Sequence, residues 1–257
     1  MEGFKFTKDK KPTKGISKIQ KKQNGFVRFF SLYFRKLWIL TILNAVYFLF
    51  CIPIVTFGPA TAAFSKILRN ISQERPIFIF SDFWQTFKSN FKQSFLLGII
   101  DVILMVTLVY AVIFYSTLSK QSPIYLVLLM LVAMIVFTIV MMHFYIYFMM
   151  VSANLKMSEI IKNSLILAIT ETKINFITLV SVAAAIFVFV MLLPYSFVII
   201  PFLPLSFIGF IVAFNSYPII RKYVIQPYYD QRGELNPEFE YLYGPEDETA
   251  FKDTVND

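Results

Sequence analysis

The sequence has little of the chemistry on which enzymes and metal proteins usually depend. Its 257 residues include one cysteine, Cys51, and one histidine, His143. A disulfide within the chain is therefore excluded, as is a metal site built from several Cys and His ligands. The eight glycines form no phosphate-binding loop, and no nucleophile-elbow or zinc-protease pattern occurs. We therefore expect a non-enzymatic protein without a cofactor or metal.

Charged residues are also scarce, at 16% of the chain, whereas hydrophobic residues make up 57%. Soluble domains are roughly 45–50% apolar. Five hydrophobic segments are nearly uncharged and reach the roughly 18 residues that a membrane-spanning helix needs. They cover residues 37–57, 94–118, 123–150, 174–194 and 195–220. The composition predicts an all-α polytopic membrane helix bundle, with the lipid bilayer as its surroundings.

The first hydrophobic segment contains a break. Pro53 stops the apolar run, Thr56 follows, and Gly58 and Pro59 are predicted to reverse the chain before a short helix that ends near Arg69. This pattern favours a broken or re-entrant first segment followed by four full spans. The alternative is a complete crossing, because residues 37–57 are long enough to reach the far surface.

Two amphipathic stretches, residues 82–93 and 158–170, are predicted to form interfacial helices with Ser81 and Ser158 as N-caps. Four aromatic side chains of the first stretch should face the membrane: Phe83, Trp84, Phe87 and Phe91. Each stretch precedes a pair of spans, which indicates either an internal repeat or a coincidence. The helical domain is placed at residues 25–228, between a disordered Lys-rich tail at 1–24 and a polar acidic tail at 229–257.

The net charge of +8 is unevenly distributed. Beside membrane spans it indicates orientation and contact with anionic lipids, and no nucleic acid partner is expected. Short cytoplasmic loops carry the excess of Lys and Arg. Only if the first segment doubles back do the basic loop residues share one side, with Lys120 alone opposite. We therefore predict a multi-pass cell-membrane protein with both termini cytoplasmic.

Five polar residues lie about seven residues, or about 10 Å, from the predicted cytoplasmic span ends. They are Asn44, Asp101, His143, Ser181 and Asn215. A charge inside the membrane is disfavoured by about 2.5 kcal/mol or more, so we expect a shared polar layer in which Asp101 pairs with His143. The pair has either a structural role or a role in handling a ligand or protons. Asn44 and Asn215 are interpreted as structural hydrogen-bonding residues.

The turn region and the segment FWQTFKSNFKQSF carry a family resemblance. The turn residues are Leu43, Asn44, Pro53, Thr56, Gly58, Pro59, Ala60, Thr61, Ala62 and Ala63. Over residues 26–228 the chain resembles the YesL family of bacterial integral membrane proteins, whose function is unknown and for which no active site is established. Such proteins are commonly encoded beside carbohydrate ABC importers in Gram-positive bacteria.

The resemblance implies an accessory role in carbohydrate ABC import, with permease subunits as partners and the amphipathic helices as docking surfaces. Two other hypotheses remain. The polar layer suits a small transporter or ligand-binding membrane protein, and the basic tail suits a signalling component that senses the membrane.

Overall fold

The computed structural model describes residues 24–153, 155–193, 195, 204–232 and 236, and all regular structure within these ranges is helical. The helices in chain order are α1 (Gly25–Arg35), α2 (Leu37–Cys51), a 3-10 turn (Ile54–Thr56), α3 (Phe57–Ser72), α4 (Ile79–Ser89), α5 (Phe91–Leu118), α6 (Pro123–Met150), α7 (Met157–Thr170), α8 (Thr172–Met191), α9 (Pro204–Ile220), a π-helical segment (Arg221–Ile225) and α10 (Gln226–Arg232).

Four helical stretches among the described residues are long and apolar enough to cross a membrane: α5, α6, α8 and the continuous helix Pro204–Arg232. The side chains on their outer surfaces are mostly large and hydrophobic, as contact with lipid requires. Residues 119–122 join α5 and α6 tightly, and Pro123 begins α6, where its missing N–H leaves no helical hydrogen bond unmade. The predicted all-α polytopic bundle is confirmed.

The first hydrophobic segment is broken, as predicted, but the chain reverses earlier than expected. The α2 helix ends at Cys51, and the turn occupies residues 52–56. The Thr56 hydroxyl closes it by donating to the carbonyl oxygens of Phe50 and Pro53, at 2.5 and 2.8 Å. The predicted reversal at Gly58 and Pro59 is therefore wrong. Both residues lie in the first turn of α3, where a helix needs no N–H from proline.

Helices α2 and α3 form an antiparallel hairpin, in which the Tyr47 and Thr61 hydroxyls are hydrogen-bonded at 3.0 Å. The hairpin does not extend α1, because α1 and α2 meet at 71°. Most side chains of α3 are buried, since α4, α5, α6 and α9 surround it. The small residues Ala60, Ala62 and Ala63 permit this close packing. The centre of the bundle is thus a helix that does not itself have span length.

Two glycines bring the backbones of α3 and α5 into contact. A Cβ added to Gly58 would lie 2.0 Å from the carbonyl oxygen of Ser94, and one added to Gly98 would lie 2.8 Å from the Cα of Gly58. Leu118 is 20 residues beyond Gly98, so about 30 Å of α5 extends past this contact. The tip of the α2–α3 hairpin therefore stops far short of the α5–α6 turn, as a re-entrant segment does.

Carboxylates, and not the predicted serines, cap the two amphipathic helices. An Asp82 carboxylate oxygen accepts the backbone N–H of Phe78 at 3.0 Å, at the start of α4. Glu159 likewise accepts the backbone N–H of Lys156 at 2.9 Å, at the start of α7. Acidic side chains in the first turn reach back to free N–H groups and match the helix dipole. The predictions of Ser81 and Ser158 as N-caps are wrong.

The aromatic face of α4 is only partly turned outward. In α4, Trp84 is half exposed, whereas Phe83 and Phe87 are buried. Phe91 begins the next helix, α5, and is 37% exposed. The rings of Phe83 and Phe87 lie 5.1 and 5.3 Å from the ring of Phe50 in α2. The prediction that Phe83 and Phe87 face the membrane is wrong, because the returning hairpin covers that side of α4.

The helical structure continues past residue 228, the predicted end of the helical domain. A π-helical segment, Arg221–Ile225, connects α9 to α10, which ends at Arg232. Pro227, in the first turn of α10, accounts for the irregularity, because it has no backbone N–H to donate and its ring crowds the carbonyl group of Tyr223, four residues earlier. The helix therefore ends four residues beyond the predicted domain boundary at residue 228. Residues 1–23, 154, 194, 196–203, 233–235 and 237–257, which include most of both predicted tails, lie outside the described residues.

Gly58→Ala is expected to reduce stability by about 1–3 kcal/mol, because the new methyl group overpacks a backbone contact that has no room for it. The measurement is thermal unfolding of the purified protein in detergent. Gly25→Ala is the matched control, since no atom lies within 4 Å of its added Cβ. Equal melting temperatures for the two variants would show that α3 and α5 are not in backbone contact.

Candidate functional site

The structure brings Asp101 and His143 together. These residues lie on the neighbouring helices α5 and α6, and His143 Nε2 is 3.0 Å from Asp101 Oδ1. The second carboxylate oxygen, Oδ2, accepts a hydrogen bond of 2.7 Å from the Tyr147 hydroxyl. Tyr147 follows His143 by one helical turn, so both side chains project from the same face of α6. Asp101 thus holds two residues of the facing helix.

The hydrogen bonds of His143 define how many protons the pair carries. Its Nδ1 lies 2.8 Å from the carbonyl oxygen of Ile139, which only accepts, so Nδ1 carries a proton. One further proton lies between Nε2 and Asp101, placed on either the imidazole or the carboxylate. The pair is therefore net neutral in both arrangements. Neutrality makes such a pair tolerable beside hydrocarbon, where an isolated charge is strongly disfavoured.

A groove of about 600 Å³ opens beside this pair. The side chain of Asp101 is 12% exposed and that of His143 is 34% exposed. The polar residues of the groove, Thr61, Asp101, His143 and Tyr147, lie towards the α3 end. From there apolar side chains line it along both helices, namely Leu104, Met105, Leu108, Val109, Val112 and Ile113 of α5 and Val136, Ile139 and Val140 of α6. The groove has one polar end and a long apolar wall.

The polar end lies near one edge of the span. Leu118 is 17 residues beyond Asp101, a distance of about 26 Å along α5. The hydrocarbon core of a bilayer is about 30 Å thick. With Leu118 at one boundary of that core, Asp101 lies about 4 Å inside the other, which is nearer to the boundary than the roughly 10 Å expected from the sequence. The apolar wall then runs from this boundary towards the middle of the bilayer.

The other three predicted layer residues are not part of this groove. Asn44 is fully buried, and its Oδ1 accepts the backbone N–H of Ser206 at 2.7 Å, in the first turn of α9. Such N–H groups have no partner within their own helix, so Asn44 acts as a cap supplied by another helix. Ser181 and Asn215 line a separate groove between α1, α8 and α9. The five polar residues therefore do not form one site.

Several contacts bring the basic loops to one end of the bundle. Arg69, near the end of α3, donates to the carbonyl oxygen of Val151 at 3.1 Å and to Ser152 Oγ at 3.0 Å, just after α6. Gln93, at the start of α5, donates to the carbonyl oxygen of Leu155 at 3.1 Å. Arg35 forms an ion pair with Glu74. Lys120 lies at the opposite end, in the turn between α5 and α6.

Tyr147 and Thr61 are site residues that sequence reasoning missed. The signal for Tyr147 was its spacing of four residues from His143. Thr61 carried no such signal, since its position depends on how deeply the hairpin inserts. Within the described ranges, no three His, Cys, Asp or Glu side chains are close enough to hold a metal ion.

The fold and this site define a multi-pass helical protein of membrane type, with a neutral polar pair at one end of an apolar groove. A family model described as "Protein of unknown function, DUF624" matches residues 31–112. The match is about a third of the chain, from α1 to α5, and it includes Asp101 but not His143. No curated protein and no solved structure matches the chain. Residues 31–112 are therefore similar to a family of unknown function.

Tyr147→Phe should destabilise the protein by about 1–3 kcal/mol, because Asp101 Oδ2 loses its hydrogen-bond donor in a mostly buried position. The measurement is again thermal unfolding in detergent. Tyr110→Phe, on the exposed surface of α5, removes the same hydroxyl from a residue outside the groove and serves as control. If both variants unfold at the wild-type temperature, Tyr147 does not support Asp101 as described.

Proposed function

We propose that this chain is a non-enzymatic integral protein of the cell membrane, with both termini cytoplasmic, and that it acts as an accessory component of a carbohydrate ABC import system. The YesL-like sequence pattern supports the link to carbohydrate import. The arrangement of charge supports the orientation, because basic loops cluster at one end of the bundle and cytoplasmic loops carry the excess of Lys and Arg.

Single cysteines introduced into a Cys51→Ser protein test the orientation. A membrane-impermeant thiol reagent applied to intact cells should label Lys120→Cys but neither Lys162→Cys nor Lys222→Cys. All three positions should react after the cells are opened, which controls for exposure. Labelling of Lys162→Cys from outside, with Lys120→Cys protected, would invert the proposed orientation.

The observation that carries the accessory role is the outer face of α7. Ile161, Leu165, Ile166 and Ile169 are 39–64% exposed and recur at helical spacing on one side. The buried face of the same helix, which includes Ile160, packs against the bundle. The outer face lies at the basic end, where a cytoplasmic part of a permease complex would meet it. Apolar side chains in this position suit a docking surface.

Permease subunits of a carbohydrate importer should co-purify with the tagged protein, and Ile169→Ser should weaken their recovery. Ile124→Ser at the Lys120 end is the matched control, because Ile124 is 66% exposed and Ile169 is 64% exposed.

Deletion of the gene should reduce sugar uptake. Unchanged uptake of every oligosaccharide tested, together with no permease in the purified material, would reject the accessory role.

The second candidate function is a small transporter or ligand-binding membrane protein, and the Asp101–His143 pair at the end of an open groove favours it. In that case Asp101→Asn and His143→Ala should abolish transport or binding while the amount of protein in the membrane stays normal. Removing one member of a purely structural buried pair destabilises the protein. A parallel fall in protein level and activity would therefore argue for a structural role only.

A further inference from the structure

The groove beside Asp101 and His143 has the shape of a site for a single lipid chain. Its apolar wall along α5 runs from Asp101 to Ile113, 12 residues or about 18 Å. Half of a hydrocarbon core is about 15 Å. Met105, Val109 and Ile113 on this wall are strongly exposed, so the groove is open to the surrounding lipid. A chain entering sideways from the near leaflet would place its polar head at Asp101.

The hydrogen bonds at the polar end limit which head group fits. Both ring nitrogens of His143 are already bonded to protein oxygens. The Tyr147 hydroxyl donates its hydrogen bond to Asp101 Oδ2, and the Thr61 hydroxyl donates to the carbonyl oxygen of Phe57. One proton lies between Asp101 Oδ1 and His143 Nε2, and Oδ2 accepts from Tyr147. Each carboxylate oxygen keeps a further lone pair that can accept from a ligand. The site therefore offers acceptors to a ligand and has no spare donor among these four side chains.

The charge of the head group excludes further classes of lipid. A carboxylate head would face the Asp101 oxygens without a donor, so a fatty acid is disfavoured. An ammonium head would place a second cation beside the His143–Asp101 pair, and Asp101 is the only carboxylate among the described residues that line the groove. Because the pair is neutral as a whole, it does not offset an added charge near hydrocarbon. A neutral head with hydroxyl donors satisfies both the acceptors and the charge.

We propose that this groove binds a neutral single-chain lipid with a hydroxyl head, of the monoacylglycerol type. Its hydroxyl groups donate to Asp101, and its chain lies along the α5–α6 wall. The inference rests on the ligand-binding form of the proposed function and does not depend on an importer partner.

The test uses the full-length protein in lipid nanodiscs and a monoacylglycerol with a photoreactive diazirine in its chain. Illumination should link the probe to peptides of α5 and α6. Unlabelled 1-monooleoylglycerol should compete for the site. Methyl oleate, which lacks the hydroxyl head, should compete about tenfold less well because it donates no hydrogen bond to Asp101. Oleic acid and oleylamine should compete about as weakly, because each brings a charged head to a site that does not offset it.

Two variants test the binding of the lipid's acyl chain and the binding of its head group separately. Leu108→Trp fills the apolar wall without touching the polar pair and should abolish labelling. Thr107→Val is the matched control on the same helix, because Thr107 is exposed and its hydroxyl donates to the carbonyl oxygen of Ile103 in its own helix. Asp101→Asn should reduce the preference for 1-monooleoylglycerol over methyl oleate. A change in this preference is a readout that loss of stability alone does not produce.

The outcomes are distinct. Equal competition by all four lipids would overturn the assignment of a hydroxyl head while leaving a groove that binds chains. Labelling that Leu108→Trp does not reduce, or no labelling of α5 and α6, would overturn the site and with it the ligand-binding form of the proposed function. The accessory role would then be judged on co-purification and sugar uptake alone.

Discussion

The contact between the backbones of Gly58 and Gly98 positions the other parts of the bundle. It fixes how far the α2–α3 hairpin inserts, because no side chain separates α3 from α5 at this point. The hairpin in turn covers Phe83 and Phe87 of α4 and places Thr61 beside the Asp101–His143 pair. A small-residue contact is well suited to this role, since packing and not the hydrophobic effect drives helix association in lipid.

Three polar side chains inside this bundle bind partners on elements that are distant in the sequence. Asn44 caps α9, Arg69 holds the chain segment after α6, and Asp101 joins two side chains of α6. Each contact joins elements distant in sequence, so each helps to specify which helices meet. The Asp101 contact differs from the other two because it lies at the end of an open groove. That difference makes it a candidate binding site as well as a structural contact.

The sequence predicted the helical class, the four spans and the Asp101–His143 pair, because apolar length and a charge in an apolar run are local signals. It misplaced the reversal near Gly58, since proline and glycine suit both a turn and a first helical turn. The buried face of α4 and the role of Thr61 depend on how deeply the hairpin inserts. The local sequence does not encode that depth. The placement of the basic residues indicated only that the hairpin returns to the end of the bundle where it began.

The central claim is that the α2–α3 hairpin enters the membrane and returns without crossing it. Spin labels at Val55, in the turn of the hairpin, and at Lys120, in the α5–α6 turn, test it by their collisions with oxygen and with a water-soluble nickel complex. The account predicts that the Val55 label meets oxygen and is shielded from nickel, while the Lys120 label meets nickel. Nickel access to Val55 from the same side as Lys120 would contradict it.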